Sequence, residues 1–289
     1  MKPLPAFAVA LALGAATAPS VARAQGLRYD PPRDLAITLG GAGAWILSND
    51  LRGDLVPTHC RWCDVDRYGH DDLNYLDRTA RRLRWRQPYL ADEASNFTAF
   101  VGSPLAAGGM MAGAAAYDHK GGNTGSDVLV IAEAGVLAAD VNQLVKFLAV
   151  RERPDAHARR MADPSTHPRT VDDDLSFNSG HTTESVSLAV AACTLASLRG
   201  YRLAPLVWAT TLPLAGVTAY LRIAADRHYF TDVLTGAITG TLIGVIVPLV
   251  FNRPVAPMAQ VPGSEPDRAS ASASASIQQG ATIGWSGVW

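Results

Sequence analysis

Cysteine is scarce, with three in 289 residues, and the pair in Cys60-Arg61-Trp62-Cys63 has no second pair to complete a four-ligand zinc site. No strand–helix–strand pattern surrounds it, as a thioredoxin-like redox site would require. A local Cys60–Cys63 disulfide in an oxidising compartment is the reading that remains. Cys193, inside the apolar run Ala189 to Leu198, reads as a small buried hydrophobe. Charge is thin as well: Asp, Glu, Lys and Arg make up 18% of the chain, against about a quarter in an ordinary globular protein. The signs nearly cancel, 25 basic residues against 26 acidic. No Lys/Arg-rich run with interleaved aromatics is present, which argues against nucleic acid as a partner.

Glycine (25 residues) and alanine are abundant instead, a mixture suited to closely packed helices and membrane spans. Met1 to Ala24 has one early lysine, an apolar stretch from Pro5 to Ala18 and a small-x-small end at Ala22-Arg23-Ala24. This is the layout of a secretory signal cut before Gln25; an uncleaved first transmembrane helix is the alternative. Five longer apolar segments follow: Phe97 to Tyr117, Val128 to Val150, Val186 to Leu198, Leu203 to Leu221 and Val233 to Phe251. Each is about long enough to cross ~30 Å of hydrocarbon at 1.5 Å per residue, the third only if its helix begins near His181, whereas Leu35 to Leu47 is too short to span comfortably. Glu133, Asp140, Asn142 and Gln143 in the second require a polar stripe turned inward, or a soluble helix. Mean hydropathy of +0.08 is low for a protein of many spans.

The expected organisation is an all-α helical bundle with five membrane-spanning helices after the signal. Its parts are the signal (1–24), an exported N-terminal region with short helices (25–95), a helical catalytic domain (96–252) and a low-complexity tail (253–289) whose Ala-Ser alternation offers too little apolar surface to order it. If Gln25 emerges outside and Leu35 to Leu47 does not cross, five crossings leave Lys146 to Ser179 and Arg222 to Asp232 on one outer side. Cys60 and Cys63 are then outside too, while Lys120, Arg199, Arg202 and Arg253 are inside, as the excess of positive charge there requires.

Three spaced clusters carry chemistry: Lys146 with Arg153-Pro154, then Ser179-Gly180-His181, then Arg222 with His228 and Asp232. Three cations can neutralise a tetrahedral oxyanion, two histidines can serve as nucleophile and proton donor, and one carboxylate can hold an imidazole in its working tautomer. Such chemistry needs no metal, and no cofactor is expected. If 228 to 232 open a helix, His228 and Asp232 are i and i+4 on one face. Ser179 and Gly180 sit where free N–H groups and the positive end of a helix dipole can meet an anion.

These residues resemble the type 2 phosphatidic acid phosphatase (PAP2) superfamily, whose three motifs are a Lys, six residues, Arg-Pro; Pro-Ser-Gly-His; and Ser-Arg, five residues, His, three residues, Asp. The resemblance extends to the helical bundle shared with haloperoxidases, and covers neither the chain before Phe97 nor that after Arg253. It implies that His228 attacks phosphorus to form a phosphohistidine, that His181 protonates the leaving oxygen and then helps water attack, and that Lys146, Arg153 and Arg222 clamp the phosphate. Asn178 stands in place of the motif's Pro, as an expected helix N-cap, and Leu221 in place of its Ser, with the loss of one minor hydrogen bond.

Arg151 falls outside the motif and reads as a juxtamembrane snorkelling charge. His157, His167 and the run Asp172-Asp173-Asp174 read as a solvated loop that would repel phosphate. The function so implied is a metal-independent phosphatase acting on a lipid phosphate or diphosphate, set in a bacterial inner membrane with its site facing the periplasm. The alternatives are a soluble periplasmic acid phosphatase of broad specificity, a vanadium-dependent haloperoxidase, or a non-catalytic membrane protein that binds a phosphorylated lipid. The sequence does not give the oligomeric state.

Overall fold

The structure, a computed structural model, describes residues 27, 29–57, 59–163 and 169–251. The expected signal, the tail from 253 and His167 lie outside these residues. The described residues form ten α-helices and no extended strand: α1 (Pro31–Asp50), α2 (Arg52–Leu55), α3 (Tyr75–Ala80), α4 (Pro88–Phe97), α5 (Ser103–Tyr117), α6 (Thr124–Ala149), α7 (Pro154–Ala162), α8 (Gly180–Leu198), α9 (Ala204–Ala224) and α10 (Phe230–Phe251). Proline at the first or second position opens α1, α4, α5, α7 and α9, where its missing N–H has no helical partner to lose. One π-helical turn, Thr98–Gly102, joins α4 to α5 without a break.

The centre of the bundle is α8, packed on α10, α9, α6 and α5. Its buried side chains are mostly small, among them Thr182, Thr183, Ser185, Ser187, Ala189, Ala191, Ala192 and Cys193. Gly236, Gly240 and Gly244 form an i, i+4, i+8 stripe on α10, and a Cβ on any of them would strike the α8 carbonyls of Ser179, Thr183 and Ser187 in turn. That register makes α8 and α10 parallel and lets their backbones touch, the small-residue packing that substitutes for a hydrophobic drive between helices in lipid. By contrast α6 runs antiparallel to α8, with Asn142 bonded to Asn178 and Ala134 accepting from Ser187. The α4–α5 helix runs antiparallel to α9, joined by Arg222 to Asp92 and by Thr218 to Thr98. The carboxyl ends of α6 and α9 therefore meet the amino ends of α4, α8 and α10 at one end of the bundle.

Among the described residues four helices are long and apolar enough to cross a membrane: Pro88–Tyr117, Gly121–Ala149, Ala204–Ala224 and Phe230–Phe251. Leu105, Leu144, Leu148, Leu206, Leu242 and Ile246 stay exposed along them. The expected fifth span, α8, lacks the necessary hydropathy because it is wrapped by the others. Thr183 and Ser187 give their hydroxyls to the carbonyls of Ser179 and Ala134, and the buried Thr182 and Ser185 likewise never have to face lipid.

Two expectations change. The first of these four apolar helices begins at Pro88, not Phe97, so a domain boundary at 95/96 falls inside a continuous helix. Leu35 to Leu47 is part of a 20-residue helix that lies along α6 in parallel, with Asp34 in electrostatic reach of Glu133 and Gly41 against Val136 and Asp140. Glu133 and Asp140 therefore turn toward α1. The amino end of α1 is tied to the last turn of α10, where Arg33 Nη2 donates to the Phe251 carbonyl at 2.8 Å.

Candidate active site

The end of the bundle where α4, α6, α8, α9 and α10 meet gathers every residue expected to act on phosphate. Lys146 occupies the last turn of α6. Beyond it Val150 takes a left-handed turn, φ 44°, a conformation costly for a β-branched residue and maintained only where the surroundings fix it. Here they do: Val150 is fully buried, and its carbonyl accepts from Arg61 N at 3.0 Å. The turn throws Arg153 back over the site, where Asp172 holds it through its carbonyl (2.7 Å to Nε) and its carboxylate (3.0 Å to Nη2).

Lys146 Nζ lies 3.5 Å from where a Gly180 Cβ would stand, so glycine keeps the amino end of α8 open to the lysine. Ser179 is buried, its N–H spent on the Asp232 carbonyl (3.1 Å) and its hydroxyl on Thr182 (2.9 Å). Arg222, in the last turn of α9, gives Nη1 to Asp92 (2.6 Å) and Ser95 (2.8 Å), while its buried Nε has no partner. A buried guanidinium with a vacant N–H edge is a donor set awaiting an anion.

His181 is fixed by Asn96 Oδ1 at 2.8 Å from Nε2 and by the Phe100 ring, 4.8 Å between centres. His228 is buried and donates from Nδ1 to the Ser176 carbonyl at 2.7 Å. Burial, then the positive charges of Arg222, Arg153 and Lys146, hold its pKa well below the ordinary histidine value. His181 lies within reach of the same three cations and of His228. One site thus contains two histidines and three cations contributed by α6, α8, α9 and the segments between.

Asp232 does not accept from His228 directly, its Oδ2 being 3.8 Å from Nδ1. It takes the Ser176 hydroxyl (2.6 Å), the Tyr229 N–H (3.0 Å) and Arg151 Nη1 (2.6 Å). Arg151 itself is no snorkelling charge but a completely buried one. The acidic run is not a solvated loop either: Asp172 holds Arg153, Asp173 pairs with Arg159 at 2.8 Å, and Asp174 is buried. Although burial opposes ionisation of Asp172, Arg153 and Lys146 keep its pKa below the usual carboxylate range. His157 is likewise buried, between Glu152 (3.2 Å) and Asp71 (3.4 Å).

Asn178 does not cap α8. Its carbonyl and side-chain oxygen accept from Asn142, and its amide reaches Thr239 at 3.3 Å, joining α6 to α10. Leu221 packs with Ala91, Ala224 and Ala225, so the lost serine is replaced by apolar contact between α9 and α4. Asp92, Ser95 and Asn96 were absent from the sequence-derived site. Their i, i+3, i+4 spacing placed them on one helical face, but they precede the apolar run and carried no motif. Cys60 and Cys63 are joined, with Cα atoms 5.5 Å apart.

Residues 127–255 match the family model of the PAP2 superfamily. All eight residues expected to act on phosphate, from Lys146 to Asp232, fall within the match. A solved structure, described as the first transmembrane PAP2-type phosphatidylglycerolphosphate phosphatase from Bacillus subtilis, is similar at 18% identity and a TM-score of 0.43. The similarity covers 76% of this chain and 94% of that one. No curated protein matches the chain.

Proposed function

We propose that the protein is a membrane-embedded phosphatase that hydrolyses lipid phosphate or diphosphate esters through a phosphohistidine, in a bacterial inner membrane with its site on the periplasmic side. The observation that supports this most is the convergence of Lys146, Arg153 and Arg222 on two histidines at one end of an apolar bundle. With Nδ1 donating to Ser176, Nε2 of His228 keeps its lone pair and attacks phosphorus. The P–N bond forms as the P–O bond to the leaving group breaks, and His181 gives that oxygen a proton. His181 then takes a proton from water as its oxygen attacks phosphorus; the P–N bond breaks and phosphate leaves.

The three cations gain most when charge spreads over the equatorial oxygens. Lys146 supplies a point charge, while Arg153 and Arg222, oriented by Asp172 and by Asp92 with Ser95, can each span two oxygens. The apolar side chains exposed along the four spanning helices favour a lipid substrate, whose headgroup sits at the level where such helices end.

The test is phosphate release by detergent-purified protein from a panel of lipid phosphates, lipid diphosphates and soluble phosphoesters. Lipid substrates should be hydrolysed at least tenfold faster than soluble ones, and His228→Ala should release no phosphate above background. Full activity in that variant removes the mechanism; preference for soluble esters removes the lipid assignment.

A further inference from the structure

Arg151 is buried and engaged on every side, and nothing in the phosphate chemistry uses it. Buried throughout, it donates from Nε to Asp64 (2.9 Å), from Nη2 to Asp77 (2.8 Å) and from Nη1 to Thr231 (2.8 Å) and Asp232 (2.6 Å). The rings of Trp62 and Tyr229 lie on it, their centres 4.0 and 4.1 Å from its guanidinium carbon. One cation facing three buried carboxylates is a poor bargain for stability alone. Its geometry, however, leads to His228.

We propose that Arg151 is a positioning residue which, gripped by Trp62, Asp64 and Asp77, fixes the ring and tautomer of His228 through Ser176. The proposal rests on the reading of His228 as nucleophile. Two routes run from Arg151 to Ser176. The Arg151 carbonyl accepts the Ser176 N–H at 2.9 Å, and Arg151 Nη1 holds Asp232, whose other oxygen accepts the Ser176 hydroxyl at 2.6 Å. Ser176, so held at both ends, presents its carbonyl to His228 Nδ1 at 2.7 Å. A carbonyl only accepts, so Nδ1 must carry the proton and Nε2 must not. Asp232 acts on the histidine through the serine, and the arginine acts on both.

The charged groups facing His228 are Arg222 from α9, Arg153 from the segment after α6, Lys146 from α6, His181 from α8 and Asp232 from α10. Loss of the Arg151 charge frees Asp232, Asp64 and Asp77 to attract a proton to the ring. The acid limb of kcat/KM, which reports the free enzyme, then moves to higher pH. A lysine restores the charge but not the fork, whose several N–H groups serve four partners at once.

The experiment combines kinetics with the tautomer of His228, read by 15N NMR of histidine-labelled protein in detergent and assigned by the signal lost in His228→Asn. Wild type should show the Nδ1–H form. Arg151→Gln should lower kcat by about 10²-fold with KM little changed, raise the acid limb by about one pH unit, and mix the tautomers. Arg151→Lys should return the limb but not kcat. Ser176→Ala and Asp64→Asn, which delete single links, should each lower kcat by about tenfold, and they decide the matter should Arg151→Gln fail to fold. A wild-type Nε2–H tautomer, or an unchanged tautomer and acid limb in these variants, overturns the proposal. Because the tautomer is read without turnover, a wild type that releases no phosphate refutes the phosphatase reading separately.

Discussion

Glu152 shows how single side chains secure the loop that presents Arg153. It is buried, and its carboxylate accepts from Arg160 (2.6 Å) and Arg169 (2.8 Å) and lies 3.2 Å from His157. Burial alone would raise its pKa, but hydrogen bonds from Arg160, His157 and Arg169 prevail and hold it at about 2, against an ordinary 4.5. A depressed carboxylate contributes stability that is complete above pH 4.5 and fades as pH falls through 2. At about 1.4 kcal/mol per pH unit the contribution reaches about 3 kcal/mol. Chemical denaturation in detergent should therefore find wild type more stable than Glu152→Gln at pH 6, with more than half of that advantage gone at pH 3. An advantage that does not change with pH would show that shape, not charge, is what Glu152 supplies. At this scale the sequence foretold, from residue type and spacing, that Lys146, Arg153, His181, Arg222 and His228 would meet. It was opaque for Arg151, because its partners Asp64 and Asp77 lie 87 and 74 residues away and nothing local announces them.

Among the elements, the α8–α10 pair decides whether the two histidines meet, since His181 opens one helix and His228 immediately precedes the other. Gly240 is its narrowest point: a Cβ there would collide with the Thr183 carbonyl oxygen and stand 3.1 Å from Ser187 N. In an exposed helix Gly→Ala gains about 1 kcal/mol, but forcing two backbones apart costs about 1–3 kcal/mol, so here the sign reverses. Gly240→Ala should lower the melting temperature in detergent and reduce phosphate release with it. Gly113→Ala, on α5 with nothing within 4 Å of the new methyl, should leave activity intact and stability equal or higher. Should the two variants behave alike, close backbone contact is not what holds α8 against α10. Periodicity revealed the apolar helices well, yet misjudged both ends of this arrangement. The polar Asp92, Ser95 and Asn96 hid the first turns of the α4–α5 helix within the polar N-terminal region, and the serines and threonines of α8 concealed how deeply that helix is enclosed.

For the whole molecule the decisive fact is the direction of α1. It runs parallel to α6 for 20 residues, about 30 Å, from the Phe251 end of α10 toward the phosphate site, with Leu35, Leu39, Ile46 and Leu47 exposed on its outer face. Were the whole bundle set in a bilayer, α1 would cross with it, although it is not one of the four helices apolar enough to span alone, and Asp30 and the site would lie on opposite faces. That topology would differ from the expected one, in which the chain emerges at Gln25 on the same outer side as the site. The sequence could not show this, because an apolar run of 13 residues gives no direction and its register with α6 is tertiary. Charge does not fix the orientation either: arginines and lysine at 33, 120, 199 and 202 mark one end, but eight arginines between 52 and 86 mark the other, several of them paired, as Arg81 is with Asp226 at 3.0 Å. The Cys60–Cys63 disulfide weighs more, since it persists only on the oxidising side, and it shares the site's end of the bundle through the bond from Arg61 N to the Val150 carbonyl. Single cysteines settle the question against a quiet background, Cys193 being buried. In cells whose inner membrane is intact, Asp72→Cys should react with a membrane-impermeant maleimide while Asp30→Cys reacts only after lysis. Labelling of both in intact cells would mean that α1 does not cross and that the helices pack as a soluble protein; labelling of Asp30→Cys alone would turn the site toward the cytoplasm.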